Sequence, residues 1–152
     1  MSSASSTFAS GASPTATQVN GWEQGALGYA QVTANQGSIS TTPVDLTGLT
    51  VTATVVANRR LRIIGRVQMQ NTGSTNVQSL SILQDGVSIM QHTWPCPLAT
   101  TNFAVWAEVV VAPSAGSHTW KLQANCFSAG TSTMAASAAI PAFILVEDIG
   151  AV

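Results

Sequence analysis

Between His118 and Cys126 the chain alternates without a slip. His118, Trp120, Leu122, Ala124 and Cys126 share one parity; Thr119, Lys121, Gln123 and Asn125 share the other. Successive strand side chains point to opposite faces, so the pattern predicts a strand with one packed and one wet face. The run Ala104–Val111 before it is mostly β-branched and aromatic. Ala112 to Ser117 lies between them, with Pro113 pre-setting φ and Gly116 free to take φ > 0. The stretch Phe103–Cys126 therefore reads as a β-hairpin.

The same logic carries along the chain. Leu27–Ala34 reads as a first strand, and Asn35-Gln36-Gly37 turns it. Ile39–Thr42 is short, and Pro43 confines it to an edge or a strand end. Val44–Leu49 reads as a turn-rich connection, Thr50–Val56 as a β-branched strand, and Ala57-Asn58-Arg59 as a tight reversal. In Arg60–Gln70, Leu61, Ile63, Val67 and Met69 face one way; Arg60, Arg62, Arg66, Gln68 and Gln70 face the other. Gly65 falls in the apolar register, where a bulge or a close backbone contact is expected.

Asp85-Gly86 splits Val77–Gln91 into two strands joined by a two-residue turn. Thr93–Thr101 reads as a loop stiffened by Pro95 and Pro97. Met134–Ile140 is built of small residues, which suits a close strand approach or a subunit seam, with a short helix as the competing reading. Phe143–Val146 is an unbroken apolar run near the end, the pattern of a strand covered on both faces, one of them by a second subunit. Short strands with turns about every eight to twelve residues mark an all-β antiparallel sandwich or barrel.

Met1–Asn20 is a different material: Ser, Ala and Thr, with no charged side chain and no hydrophobic period. Residues 1–25 are read as an arm, either a loose tail or an extended segment lying on a partner, and 26–152 as the domain. Phe8 is the arm's only aromatic residue before the junction, Pro14 is a breaker, and Trp22 stands where the domain starts.

Composition changes the picture in one respect. Charged residues are 7% of the chain, against about 25% in ordinary soluble domains. A surface made of Ser, Thr, Asn and Gln suits a protein largely covered by neighbours, because Lys and Glu are depleted at buried interfaces. The net charge of −1 gives no reason to expect a nucleic-acid partner. Four of the five basic residues, Arg59, Arg60, Arg62 and Arg66, fall in one strand without interleaved aromatics, so they read as a solvated face. The uncharged runs are broken by Pro, Gly and hydroxyl residues, so no membrane span is expected. The N-terminus lacks a signal-peptide pattern, which points to synthesis in a cytoplasm. There Cys96 and Cys126 are expected as free thiols, a bridge between them being the open alternative.

No reaction is spelled out. Glu147 and Asp148 are adjacent and so point to opposite faces, and Glu23, Asp45, Asp85 and Glu108 have no paired context. His92 and His118 lack a ligand set, and no GxSxG, HExxH, P-loop or GxGxxG occurs. No enzyme activity, metal or cofactor is expected. The aromatic residues carry more. Trp120 reads as core. Trp94, in the Pro-rich segment, and Trp106, on the less apolar parity of its strand, are candidates for a ligand or subunit contact.

The phrases LGYAQVTANQ, TTPVDLTGLTVT, ANRRLRIIGRVQ, PSAGSHTWKLQ and PAFILVEDIGA resemble a family of small virion proteins of tailed bacteriophages, particularly those infecting actinobacteria. The resemblance runs from about Leu27 to the end. It implies a jelly-roll sandwich similar to the C1q and tumour necrosis factor domains, assembled as a homotrimer. It also implies a place in the virion, on the capsid as a decoration protein or in the tail as a minor or fibre-tip protein. With no coiled-coil heptads or shaft repeat in the sequence, the capsid is the favoured location. The expected arrangement is a cement protein on the outer capsid surface. Phe8, Pro14 and Trp22 would reach the major capsid protein, and Phe143 and Leu145 would form the trimer seam. A tail adhesin binding carbohydrate through Trp94 or Trp106 is the alternative.

Overall fold

The computed structural model describes residues 25–72, 76–96, 100–128 and 130–152. Ten strands follow in order: β1 Gly25–Val32, β2 Gln36–Ile39, β3 Val44–Val55, β4 Arg59–Asn71, β5 Asn76–Gln84, β6 Val87–Cys96, β7 Asn102–Val111, β8 Gly116–Cys126, β9 Ser132–Ala135 and β10 Ala142–Ala151. They form two antiparallel sheets, and no helix occurs among the described residues. The four-stranded sheet runs β3-β8-β5-β6. In the six-stranded sheet β4 is the axis. β7 lies along one edge of it, β10 and β9 share the other edge end to end, and β1 and β2 flank β10 and β9.

The core is the space between the sheets. Leu61, Ile63, Val67 and Met69 of β4 and Ile144 and Val146 of β10 meet Leu49 and Val51 of β3, Trp120 and Leu122 of β8, and Leu80 and Ile82 of β5. The parity read for β4 and β8 is the parity observed. Gly65 is a tight point of this packing. Its register with Ile144 and Ala107 is continuous, so there is no bulge. A Cβ there would lie 2.6 Å from Leu122 Cδ2. The close contact is thus between sheets. Another inter-sheet glycine, Gly28 of β1, leaves the same kind of room for Val51.

Several expectations are corrected. Phe103–Cys126 is not a hairpin: β7 pairs with β4 in one sheet, and β8 pairs with β3 and β5 in the other. Residues 112–115 cross between sheets about 10 Å apart, a span a tight turn cannot bridge and this linker can. The Ala57–Arg59 reversal is likewise a corner between sheets, with Asn58 at φ 62°. Val44–Leu49 belongs to β3, whose register with β8 shifts between Asp45 and Thr50; Gly48 at φ 81° absorbs the irregularity while Leu46 and Leu49 stay buried. Trp94 to Cys96 lie on β6 rather than in a loop, with Pro95 opposite Val77. A proline is tolerated there because β6 is an edge strand. Met134 and Ala135 end the short β9, and 136–140 is irregular, so the helix alternative fails. The Asp85-Gly86 turn is as expected, with φ 52° and 84°.

Polar groups buried on folding are largely paired. Arg59 Nε donates to Asp148 Oδ2 at 2.7 Å, joining the start of β4 to the end of β10 with both side chains more than nine-tenths covered. Gln78 Nε2 donates to Ser132 Oγ, and Ser132 Oγ also meets Cys126 Sγ. Cys96 and Cys126 are buried free thiols. β5 runs between their strands, which puts them two strand spacings apart, beyond disulfide reach.

Candidate functional site: the outer face of the six-stranded sheet

Inward parity in β10 takes Ile144 and Val146, so Phe143, Leu145 and Glu147 must point out. The expectation that both faces of this strand are covered therefore meets a half-answer. The core covers one face, and the other lies half-buried on the outside of the chain. Register sets its neighbours. Gln31, Phe143, Arg66 and Trp106 form one cross-strand row over β1, β10, β4 and β7. Tyr29, Leu145, Ile64 and Glu108 form the next.

The result is an aromatic cluster open to solvent. The Phe143 ring meets Trp106 edge-on at 5.8 Å and Tyr29 at 5.7 Å. Trp106 and Tyr29 are each 53% exposed, and Val110 and Leu27 extend the apolar area. Around it the polar groups are tied down. Tyr29 Oη donates to Gln31, and Arg66 Nη1 reaches the Pro141 carbonyl at 3.4 Å. Arg62 Nε donates to Glu147 at 2.9 Å. The hydrogen bond and charge of Glu147, with Glu108 beyond, raise the pKa of the Arg62 guanidinium further.

The opposite outer face, on the four-stranded sheet, is polar. Thr52 and Thr119 share a hydrogen bond at 2.8 Å, and Lys121 and Gln123 both donate to Asp45. The Lys121 hydrogen bond holds the Asp45 carboxyl below its ordinary value. One sheet therefore presents hydroxyls and amides to water while the other presents rings and branched chains.

Trp106 also borders a cleft of about 390 Å³ where the edges β6 and β7 approach, lined by His92, Trp94, Pro95 and Phe103. Trp94 stacks on His92 at 5.8 Å, and its indole N–H is buried without an acceptor. The structure thus brings Trp94 and Trp106 to one cleft, and Phe143, Leu145 and Trp106 to one face. Phe8, Pro14 and Trp22 lie outside the described residues. Tyr29 and Ile64 belong to this face without having stood out in the sequence. The signal for Ile64 was its parity with Arg62 and Arg66, and for Tyr29 its place in a strand that pairs with the apolar β10.

A Ser-His-Asp sequence of contacts does occur, at one end of the sandwich. His118 Nδ1 meets Asp85 Oδ2 at 2.6 Å, and Nε2 lies 3.5 Å from Ser114 Oγ. Nε2 is closer to the Ser114 carbonyl, at 3.0 Å. When the ring is protonated both nitrogens donate to these acceptors, and in that state no lone pair is left to take a proton from the serine. The arrangement is a brace. Among the described residues no cluster of His, Cys, Asp and Glu has the makings of a metal site.

No family model matches the sequence, and a search of curated proteins finds no match. Among solved structures the chain is similar to the Eiger tumour necrosis factor from S. frugiperda, with a TM-score of 0.54 at 10% identity, covering 84% of this chain and 95% of that one. It is less similar to the infectious bursal disease virus VP2 subviral particle, at 0.43 and 12%, covering 80% of this chain and 32% of that one. The insecticidal delta-endotoxin Cry8Ea1 from Bacillus thuringiensis matches at 0.45 and 9%, over 76% of this chain and 20% of that one. At their scores the latter two carry no argument about this chain. The first establishes the fold: an all-β antiparallel sandwich of the tumour necrosis factor jelly-roll type. The likeness to tailed-phage virion proteins rests on the sequence phrases alone.

Proposed function

We propose that this chain is a structural protein of a bacteriophage virion, a homotrimeric decoration protein that binds the outside of the assembled capsid. The observation that carries the reading is the uncovered aromatic face of Tyr29, Phe143 and Trp106 on a protein with 7% charged residues. Large apolar patches on a soluble chain mark contact surfaces, and a surface this poor in Lys and Glu suits burial among neighbours. Phe143, Leu145 and Trp106 form the subunit seam. Residues 1–25, with Phe8, Pro14 and Trp22, contact the major capsid protein. Binding only the assembled shell stabilises it by mass action.

The cleft that half-buried Trp94 and exposed Trp106 line favours a second reading, a tail or fibre-tip protein whose rings stack on a sugar. Immunogold labelling of virions separates the two: label over the capsid supports decoration, and label confined to the tail refutes it. Removing residues 1–20 is expected to abolish capsid binding and leave a folded oligomer; wild-type occupancy by the truncated chain would overturn the arm's role. We infer no catalytic role. Turnover of any substrate that is lost in Glu108→Gln or His118→Gln would contradict this.

A further inference from the structure

We propose that His118 is a proton-controlled clasp: protonated, it ties the turn between β5 and β6 to the crossover between β7 and β8, and on losing its proton it releases the crossover. Three separate stretches of chain meet on this ring. Asp85, first residue of the two-residue turn, accepts from Nδ1 at 2.6 Å. Ser114, in the crossover, presents its carbonyl to Nε2 at 3.0 Å. The ring itself belongs to β8 and lies 5.8 Å from Trp120, over the end of the core.

The chemistry of imidazole makes this a two-state device. The cation has two N–H donors and satisfies both acceptors. The neutral ring has one donor and one lone pair, so one acceptor then faces a lone pair and must turn away. Asp85 is the more firmly held partner. Its Oδ1 also accepts from the Thr119 amide at 2.9 Å, and its own amide donates to the Thr119 carbonyl at 2.8 Å. The contact given up on deprotonation is therefore the one to Ser114.

Other charges do not compete. Lys121 is on the opposite parity of β8, tied to Asp45. Arg59 and Asp148 are paired with each other across β4 and β10. Glu108 of β7 is on the outer face of the other sheet. The energetic signs agree with the geometry. The Asp85 hydrogen bond, then the Ser114 carbonyl, raise the His118 pKa above its ordinary 6.5. The His118 hydrogen bond, then the Thr119 amide, lower that of Asp85 below 3.8. A raised histidine value means that the clasp is fully formed below pH 6.5 and lost as pH rises through the folded value. The lowered carboxyl value means that it persists as pH falls below 3.8, until Asp85 itself is protonated.

The test uses the full chain labelled with ¹⁵N. Imidazole nitrogen shifts and backbone order parameters are followed from about pH 5 to about pH 9, a range that spans the histidine titration. The expected result is a His118 midpoint above 6.5, with both nitrogens protonated below it. Order parameters at Ser114, Ala115 and Gly116 are expected to fall through that midpoint. Asp85→Asn removes the carboxylate that favours the cation and is expected to bring the midpoint back down toward 6.5. A wild-type midpoint at or below 6.5 overturns the proposal. So do crossover order parameters that ignore pH. His118→Gln supplies a second variant should Asp85→Asn not fold: it carries no titrating ring, so its crossover must be mobile at every pH. A His118→Gln crossover as ordered as that of the acidic wild type also overturns the proposal.

Discussion

Gly65 and Leu122 offer a test of how the two sheets are fitted together. In Gly65→Ala the new methyl would sit 2.6 Å from Leu122 Cδ2 and 3.0 Å from Cδ1. Carbon atoms settle at about 3.5–4.0 Å, so the overlap is roughly 1 Å. Leu122 has no solvent to move into, because it is wholly buried between β4 and β10 on one side and its own sheet on the other. Overpacking of this kind costs about 1–3 kcal/mol. Leu122→Ala alone leaves a cavity and costs about 2–5 kcal/mol. In the double variant the alanine methyl at 65 enters the space that Leu122 vacated. The double variant is therefore expected to be more stable than the sum of the singles predicts, by about 0.5–3 kcal/mol, the range found for residues in contact. The assay is equilibrium urea unfolding followed by tryptophan fluorescence, with all four proteins at one concentration because self-association shifts apparent stability. Additivity within about 0.5 kcal/mol, or a neutral Gly65→Ala, would refute the packing described.

Two further outcomes follow from buried groups. Asp148→Asn removes the carboxylate that faces the buried Arg59 guanidinium and is expected to cost about 3–5 kcal/mol in urea unfolding; Glu147→Gln, at the more exposed pair with Arg62, is expected to change stability little. Cys96 and Cys126 are both buried, and desolvation raises the pKa of the Cys96 thiol. Neither should react with a thiol reagent in the native protein, and both should react in urea; rapid native labelling would contradict the burial.

Much of this fold was legible because strand parity is a local property. His118 to Cys126 and Leu61 to Met69 show their inward faces in the residue order itself, and Asp85-Gly86 states its turn by chemistry. Which sheet a strand joins is not local. Ala112–Ala115 is compatible with a turn or a crossover, and only the pairing of β7 with β4 decides. Val44–Leu49 was misread because Gly48 resembles a turn when it serves a strand irregularity. Pro95 resembles a loop when it sits on an edge strand. For the candidate site, Phe143 and Leu145 were found through the unbroken run that contains them. Tyr29 joins them through the pairing of β1, near the start of the domain, with β10 at its end, and no local signal states that pairing.

The outer face of the six-stranded sheet is the proposed surface for self-association. Sedimentation equilibrium of the wild-type chain and of Phe143→Arg tests this most directly, because Phe143 points away from the core and its replacement leaves the sandwich intact. The predicted result is a wild-type species of three times the 15.6 kDa chain mass and a folded monomer for Phe143→Arg. A monomeric wild-type chain, or a Phe143→Arg variant that still assembles to the wild-type mass, would contradict it.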